Sequence, residues 1–131
     1  TASLVCIVNQ RLVRKVCEAC KESYTLTDAV AASVGFPKTK GPVVAYRGKG
    51  CKRCFNAGYS GRIVIAEVIT LTPTIKELII SRAQEHQIKA AARREGMPTL
   101  RDNGLAKVLE GATSLEEVLR VTAADEKVNE E

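Results

Sequence analysis

The chain has 131 residues and a net charge of +5; 45% of its residues are hydrophobic, 4% are aromatic and none is tryptophan. This composition is typical of a small globular protein, and it supplies few aromatic rings for stacking the bases of single-stranded nucleic acid. No apolar run approaches the roughly 20 residues that a helix needs to span a bilayer. The chain starts at Thr1 and opens on an apolar segment, from which we expect a fragment of a longer protein.

The front of the chain is predicted to combine short strands with one helix. Residues 11–16 alternate in polarity, which favours a strand. A short helix is expected from Asp28 to Val34, because Thr27 is a favourable N-cap and Gly35 stands just beyond the last apolar position. Val43 to Arg47 is the next strand candidate.

The rear of the chain is predicted to contain one strand and then helices. Residues 58–62 are expected to form a turn, and the β-branched run Ile63 to Ile69 a buried strand. Ser114 and Glu117 have the spacing of a capping box. Residues 123–131 are expected to be a disordered acidic tail. Four helices are predicted, beginning near Thr72, Ala83, Thr99 and Ser114.

Four cysteines stand in two CxxC pairs with 30 residues between the pairs: Cys17, Cys20, Cys51 and Cys54. Two intervening residues allow a tight turn to aim both sulfurs at one point, and two such pairs can complete a tetrahedral four-sulfur site. We therefore predict a structural Zn²⁺ with no open coordination position. The fold class follows as α+β, with a tetracysteine zinc knuckle and short strands, then a strand and a small helical bundle.

Disulfide formation and redox chemistry are two other uses of paired cysteines. Disulfides would suit a secreted mini-protein, but the chain is long and its cysteine count is odd. A redox dithiol needs one CxxC in a βαβ pattern, which the sequence does not show. The fifth cysteine, Cys6, lies in an apolar run and is expected to be a buried core thiol that binds no metal.

Charge is distributed unevenly along the chain. Residues 1–62 carry a net charge of +8, and residues 63–131 a net charge of −3. A basic front half could bind nucleic acid or an acidic surface. The alternative is local compensation, because four thiolates on Zn²⁺ leave a charge of −2 beside several cations. Those cations are Lys15, Lys21, Lys49, Lys52 and Arg53.

The sequence contains no recognisable catalytic constellation. A GxxxxGK[ST] phosphate loop is absent. The single histidine, His86, has no metal-binding partner in its helix, and Glu116 and Glu117 are explained by the macrodipole of a helix that begins nearby. We therefore expect this chain to have no catalytic residue and no ATPase activity.

Three blocks of the sequence together resemble type II secretion and type IV pilus assembly ATPases. The blocks are residues 10–24 around the first cysteine pair; residues 50–68, with Gly58-Tyr59-x-Gly61-Arg62 and Glu67-Val68; and residues 99–122, with Thr99-Leu100-Arg101-Asp102-Asn103-Gly104-Leu105 and Gly111-x-Thr113-Ser114-Leu115-Glu116-Glu117. The resemblance covers nearly the whole chain. The segment Ile63-Val64-Ile65-Ala66-Glu67 is more apolar than in many members, which leaves the secretion or pilus subtype open.

The resemblance implies a position within a larger motor. It implies that residues 1–16 end the ATPase core, 17–62 form the zinc-binding subdomain and 63–122 form a strand plus a C-terminal helical subdomain. The parent would be a hexamer on the cytoplasmic face of the bacterial inner membrane that uses ATP and Mg²⁺ to assemble pilins or pseudopilins, with an inner-membrane platform protein as partner. It would not insert directly into the membrane.

The same resemblance places Arg62 in the family's turn motif, which implies a position near a nucleotide or a subunit boundary. The alternative is that Arg62 only pairs with Glu67 or solvates the turn. For the whole chain, the alternative function is a free-standing zinc-ribbon protein that binds nucleic acid. The scarce aromatic residues and the acidic rear half make nucleic acid the less favoured partner.

Overall fold

The computed structural model describes residues 4–36 and 41–130, with side chains up to residue 123. Over these residues the predicted α+β class is confirmed. The elements in chain order are β1 Cys6–Val16, β2 Lys21–Leu26, α1 Asp28–Val34, β3 Val43–Gly48, β4 Tyr59–Thr70, α2 Pro73–Ile80, α3 Glu85–Arg94, α4 Leu100–Leu109 and α5 Leu115–Glu130.

The strands form two antiparallel pairs, β1 with β4 and β2 with β3. The first ladder runs from Cys6 opposite Thr70 to Val16 opposite Tyr59, with an irregularity after Arg14. The residues between Val16 and Tyr59, which include the β2–β3 pair, therefore extend from one end of the β1–β4 ladder. This end is where both CxxC pairs lie.

The two faces of the β1–β4 ladder differ in burial. Val13 and Ile65 are buried against Leu100 of α4, whereas Val64 and Val68 of β4 are about half exposed. The expectation that β4 would be buried as a whole is therefore wrong, because successive residues of a strand point to opposite faces and helices cover only one. The expected turn at residues 58–62 is also wrong for most of its length, because β4 already begins at Tyr59.

The caps of the helices agree with the local sequence signals. The Thr27 side chain accepts a hydrogen bond from Val30, and Gly35 ends α1 in the left-handed conformation with φ 109°. Thr72 and Thr99 cap α2 and α4 in the same way. Short polar side chains at these positions satisfy backbone N–H groups that have no partner within the helix.

One hydrophobic core joins the front and rear halves of the chain. Leu26, Phe36 and Ala45 from the front half pack with Leu105 and Val118 from α4 and α5. The loop between the cysteine pairs is therefore not held by its ends alone. A separate cluster, centred on Ile69, Leu71, Ile75, Ala91 and Ala92, packs α2 and α3 against the end of β4.

The C-terminal helix is longer than the sequence indicated. We expected a disordered tail from residue 123, but α5 continues to Glu130, in agreement with the helix-forming residues Ala123, Ala124, Glu126 and Lys127. Glu131 lies outside the described residues. None of the helices described is both long enough and apolar enough to cross a membrane.

Candidate metal centre

The first cysteine pair lies in the turn between β1 and β2. Val16, the last residue of β1, is 1% exposed and fixes the position of Cys17. The Cys20 N–H donates to the Cys17 carbonyl at 3.3 Å, which closes the turn. Cys17 is buried and Cys20 is partly buried. The two-residue spacing thus brings both sulfurs to one side of a compact turn.

The second pair lies in a short 3-10 turn over Lys52–Cys54. The N–H groups of Asn56 and Ala57 donate to the carbonyls of Cys51 and Cys54 at 2.8 and 3.1 Å. Phe55 and Asn56 both have positive φ, 55° and 63°, so the chain bends back sharply after Cys54. A left-handed conformation costs a bulky residue such as phenylalanine about 1 kcal/mol or more, so the bend depends on the surrounding bonds.

The four sulfurs form one cluster. All Sγ atoms of Cys17, Cys20, Cys51 and Cys54 lie within 4.8 Å of one another. The Cys17–Cys51 and Cys20–Cys54 separations are both 3.8 Å, and Cys51–Cys54 is 3.7 Å. A tetrahedron with Zn–S bonds of 2.3 Å has edges of roughly 3.8 Å, whereas a disulfide requires roughly 2.05 Å. The spacing fits a metal and not a disulfide.

Backbone N–H groups surround the sulfurs. Gly50 donates to Cys20 Sγ, and Cys51 and Gly58 both donate to Cys54 Sγ, each at 3.3 Å. Hydrogen bonds of this kind stabilise negative charge on sulfur and orient metal ligands. The donors come close because glycines stand at the crossing: a Cβ on Gly48 would overlap the carbonyl group of Gly58.

The thiols differ in acidity. Burial raises the pKa of Cys20 to about 12, against the opposing effect of the Gly50 N–H. Burial acts in the same direction on Cys54, but the N–H groups of Cys51 and Gly58 outweigh it and bring the pKa of Cys54 to about 6. Cys54 is thus the more acidic of these two thiols, and a bound dication favours the thiolate form of its ligands.

Several cationic side chains lie near the cysteines. Lys21 Nζ lies 3.0 Å from Glu18 and 3.0 Å from the Gly111 carbonyl. Lys49, Lys52 and Arg53 are exposed beside the second pair. These positions agree with local compensation of thiolate charge. Phe55, directly after Cys54, is 92% exposed, and no sequence pattern drew attention to it.

Two sequence expectations about other residues change. Cys6 is exposed, not buried, because it lies opposite Thr70 on the ladder face that the helices leave uncovered, the face of Val64 and Val68. Arg62 is exposed and stands opposite Arg14 in the ladder. Glu67 is buried on the other face of β4, so a pair between Arg62 and Glu67 does not form. Neither Cys6 nor Arg62 reaches the sulfur cluster.

Glu117 has a role that its place in the sequence does not signal. Its side chain is buried and accepts hydrogen bonds from the Arg14 N–H at 2.9 Å and from the Arg14 guanidinium at 2.8 Å. Arg120 binds the same carboxylate at 3.0 Å. The Ser114 half of the predicted capping box is present, since its Oγ accepts from the Glu117 N–H at 3.2 Å. The carboxylate, however, bridges to β1, a contact over 103 positions that no local pattern signals.

Fold and site together define an α+β module built around a cluster of four cysteines that could hold a metal ion. Comparison with known sequences identifies its family: the family described as type II/IV secretion system protein matches residues 1–120. The chain belongs to this family.

Individual relatives agree with this membership. The chain is 43% identical over 127 residues to the type IV pilus assembly ATPase PilB of Myxococcus xanthus, covering 95% of the chain and 22% of that relative. It is 40% identical over 122 residues to the type II secretion system protein E of Pseudomonas aeruginosa, covering 93% of the chain and 24% of that relative. It is 42% identical over 122 residues to the type II secretion system ATPase E of Vibrio cholerae, covering 93% of the chain and 24% of that relative. The chain thus spans about a quarter or less of the length of these curated relatives.

Proposed function

We propose that the chain is the zinc-binding C-terminal part of a secretion or pilus assembly motor, in which Zn²⁺ on Cys17, Cys20, Cys51 and Cys54 fixes an interaction module. The observation that carries this proposal is the cluster of four sulfurs with separations of 3.7–3.8 Å. Four thiolates fill a tetrahedral zinc ion, so the metal is structural and activates no substrate.

Metal analysis tests this proposal. The purified chain should contain one zinc per molecule, and Cys17→Ser should abolish tight binding. Cys6→Ser is the matched control, because Cys6 is exposed at the far end of β1 and should not be a ligand. Zinc retained after the first substitution, or lost after the second, contradicts the assignment.

The proposed parent is a hexameric motor at the cytoplasmic face of the bacterial inner membrane that drives assembly of pilin or pseudopilin subunits with ATP and Mg²⁺. Its proposed partners are neighbouring motor subunits and an inner-membrane platform protein. Support comes from the names of the relatives, which include pilus assembly and secretion ATPases. The chain itself is proposed not to hydrolyse ATP, because it lacks a phosphate loop.

Within that motor, Arg62 is proposed to lie near a nucleotide or a subunit boundary. It is exposed on the ladder face that the helices leave uncovered. Arg62→Ala in the full-length motor should lower ATPase turnover or the hexamer fraction while zinc content stays the same. Arg47→Ala is a control, because Arg47 is also exposed but pairs locally with Glu22 at 3.0 Å. Unchanged turnover and assembly would leave Arg62 as an ordinary surface residue.

A further inference from the structure

The turn between α4 and α5, residues 111–114, lies directly beside the first cysteine pair. The Val16 N–H donates to the Ala112 carbonyl at 3.0 Å, and Lys21 Nζ donates to the Gly111 carbonyl at 3.0 Å. Val16 immediately precedes Cys17, and Lys21 immediately follows Cys20. The turn is therefore bonded to the chain on both sides of this pair.

The same turn is also bonded to the segment that follows the second cysteine pair. Tyr59 Oη lies 2.6 Å from Ser114 Oγ, and Ser114 is fully buried. Tyr59 follows Gly58, whose N–H donates to Cys54 Sγ and whose carbonyl accepts from the Cys17 N–H at 2.9 Å. Tyr59 is thus the direct neighbour of a glycine whose backbone groups contact both pairs.

Two further buried groups hold the first turn of α5 against β1. Thr113 Oγ1 donates to the Arg14 carbonyl at 2.7 Å, and Glu117 accepts from the Arg14 N–H and guanidinium. The guanidinium also lies 4.2 Å from the centre of the Tyr59 ring. Thr113 and Glu117 are 0% and 1% exposed. Buried polar networks with satisfied partners specify one arrangement, because a shifted group would lose its bonds without gaining water.

Close packing adds to these bonds at Gly111. A Cβ there would lie 3.2 Å from Lys21 Nζ and 3.4 Å from the ring of Tyr46. Tyr46 belongs to β3, which leads into the second cysteine pair. Gly111 also has φ 78°, a conformation that suits glycine. The turn therefore contacts the strands that lead to both pairs.

We infer that these contacts couple metal occupancy to the docking of α5, so that the α4–α5 turn is a positioning device for the metal site. We call the set Arg14, Tyr59, Thr113, Ser114 and Glu117 the turn clamp. The inference rests on the proposed function, since it requires a metal on the four sulfurs. Coupling of this kind is reciprocal: metal holds α5 in place, and an intact turn clamp raises metal affinity.

The experiment measures zinc affinity by competition with a chromophoric chelator. Tyr59→Phe removes the hydroxyl that bonds Ser114 and retains the ring, and it should raise the zinc Kd several-fold. Glu117→Gln removes the charge that bonds Arg14, and it should raise the Kd about ten-fold, within the usual range of coupling between sites. Tyr24→Phe is the matched control, because Tyr24 lies in β2 outside the turn clamp, and its Kd should equal that of the wild type.

Amide hydrogen exchange supplies the second readout. Removal of zinc should speed exchange in residues 115–123 of α5 more than in α2, which lies in the separate cluster around Ile75. Ile75→Val controls for general loss of stability, and it should leave the zinc Kd unchanged. Two results would overturn the inference and leave the proposed function standing. One is an unaltered zinc Kd for both Tyr59→Phe and Glu117→Gln, and the other is an equal increase of amide exchange in α5 and α2 after zinc removal. Failure of the wild-type chain to bind zinc overturns the proposed function and the inference with it.

Discussion

The ionised side chain of Glu117 should contribute measurably to the stability of the fold. Its carboxyl pKa is lowered from the ordinary 4.5 to about 2. Burial alone would raise this pKa, but hydrogen bonds from the Arg14 and Arg120 side chains and from the Arg14 N–H outweigh the effect. We therefore expect Glu117→Gln to lower the free energy of unfolding at pH 7. The amide that replaces the carboxylate bears no charge to pair with the two arginines.

The size of this effect follows from proton linkage. The interval from 4.5 to about 2 corresponds to about 3 kcal/mol, at roughly 1.4 kcal/mol for each pKa unit. Because the pKa is lower in the folded chain than in the unfolded chain, the stabilisation is fully present above about pH 4.5. It declines as the pH falls towards about 2. The difference between wild type and variant should shrink over the same interval.

Urea unfolding at several pH values, with equal zinc loading of both proteins, measures this difference. Metal content is measured at each pH, because acid protonates the thiolates and a variant with a higher zinc Kd releases its metal at a higher pH. Glu116→Gln is the matched control: Glu116 is exposed in the same helical turn, so its loss should cost only the modest macrodipole contribution. Equal stability of wild type and Glu117→Gln at pH 7, or a difference that does not change with pH, would refute the reasoning.

Three further predictions follow from the packing of the fold. Gly48→Ala should abolish tight zinc binding, because its Cβ would overlap the carbonyl group of Gly58, whereas Val44→Ala on the exposed side of β3 should leave zinc content unchanged. Chelation of the metal should raise amide exchange in β2, α1 and β3 and preserve protection in α2 and α3; protection kept throughout would contradict a structural metal. Gly104→Ala should lower the free energy of unfolding by about 1 kcal/mol, since overpacking against Val118 Cγ1 at 2.6 Å exceeds the gain in helix propensity. A more stable Gly104→Ala protein in thermal unfolding would show that α4 and α5 can separate at no cost.

Local signals in the sequence predicted local structure well. Thr27 and Gly35 fixed the limits of α1, and the threonine caps fixed the starts of α2 and α4, because each signal acts within four residues. The two CxxC pairs predicted the sulfur cluster for a similar reason. Each pair is a short turn with its own hydrogen bonds, so only the meeting of the two pairs depends on the distant fold.

Features set by tertiary contacts could not be predicted in this way. Glu117 has the spacing of a capping residue, but its carboxylate bonds to Arg14, which is 103 positions away in the chain. Cys6 lies in an apolar run, yet it is exposed because it points to the ladder face that the helices leave uncovered. An apolar pattern indicates that a segment can be buried, while the neighbours in the fold decide which residues are.

The loop between the cysteine pairs shares a core with the rear helices, so loss of metal should affect both. In the structure Phe36 and Ala45 of that loop pack on Leu105 and Val118, so the loop supplies part of the surface that buries α4 and α5. The free energy of metal binding therefore supports this common core as well as the knuckle. The cluster around Ile75 lies outside this core, which is why α2 and α3 are the region in which protection should survive chelation.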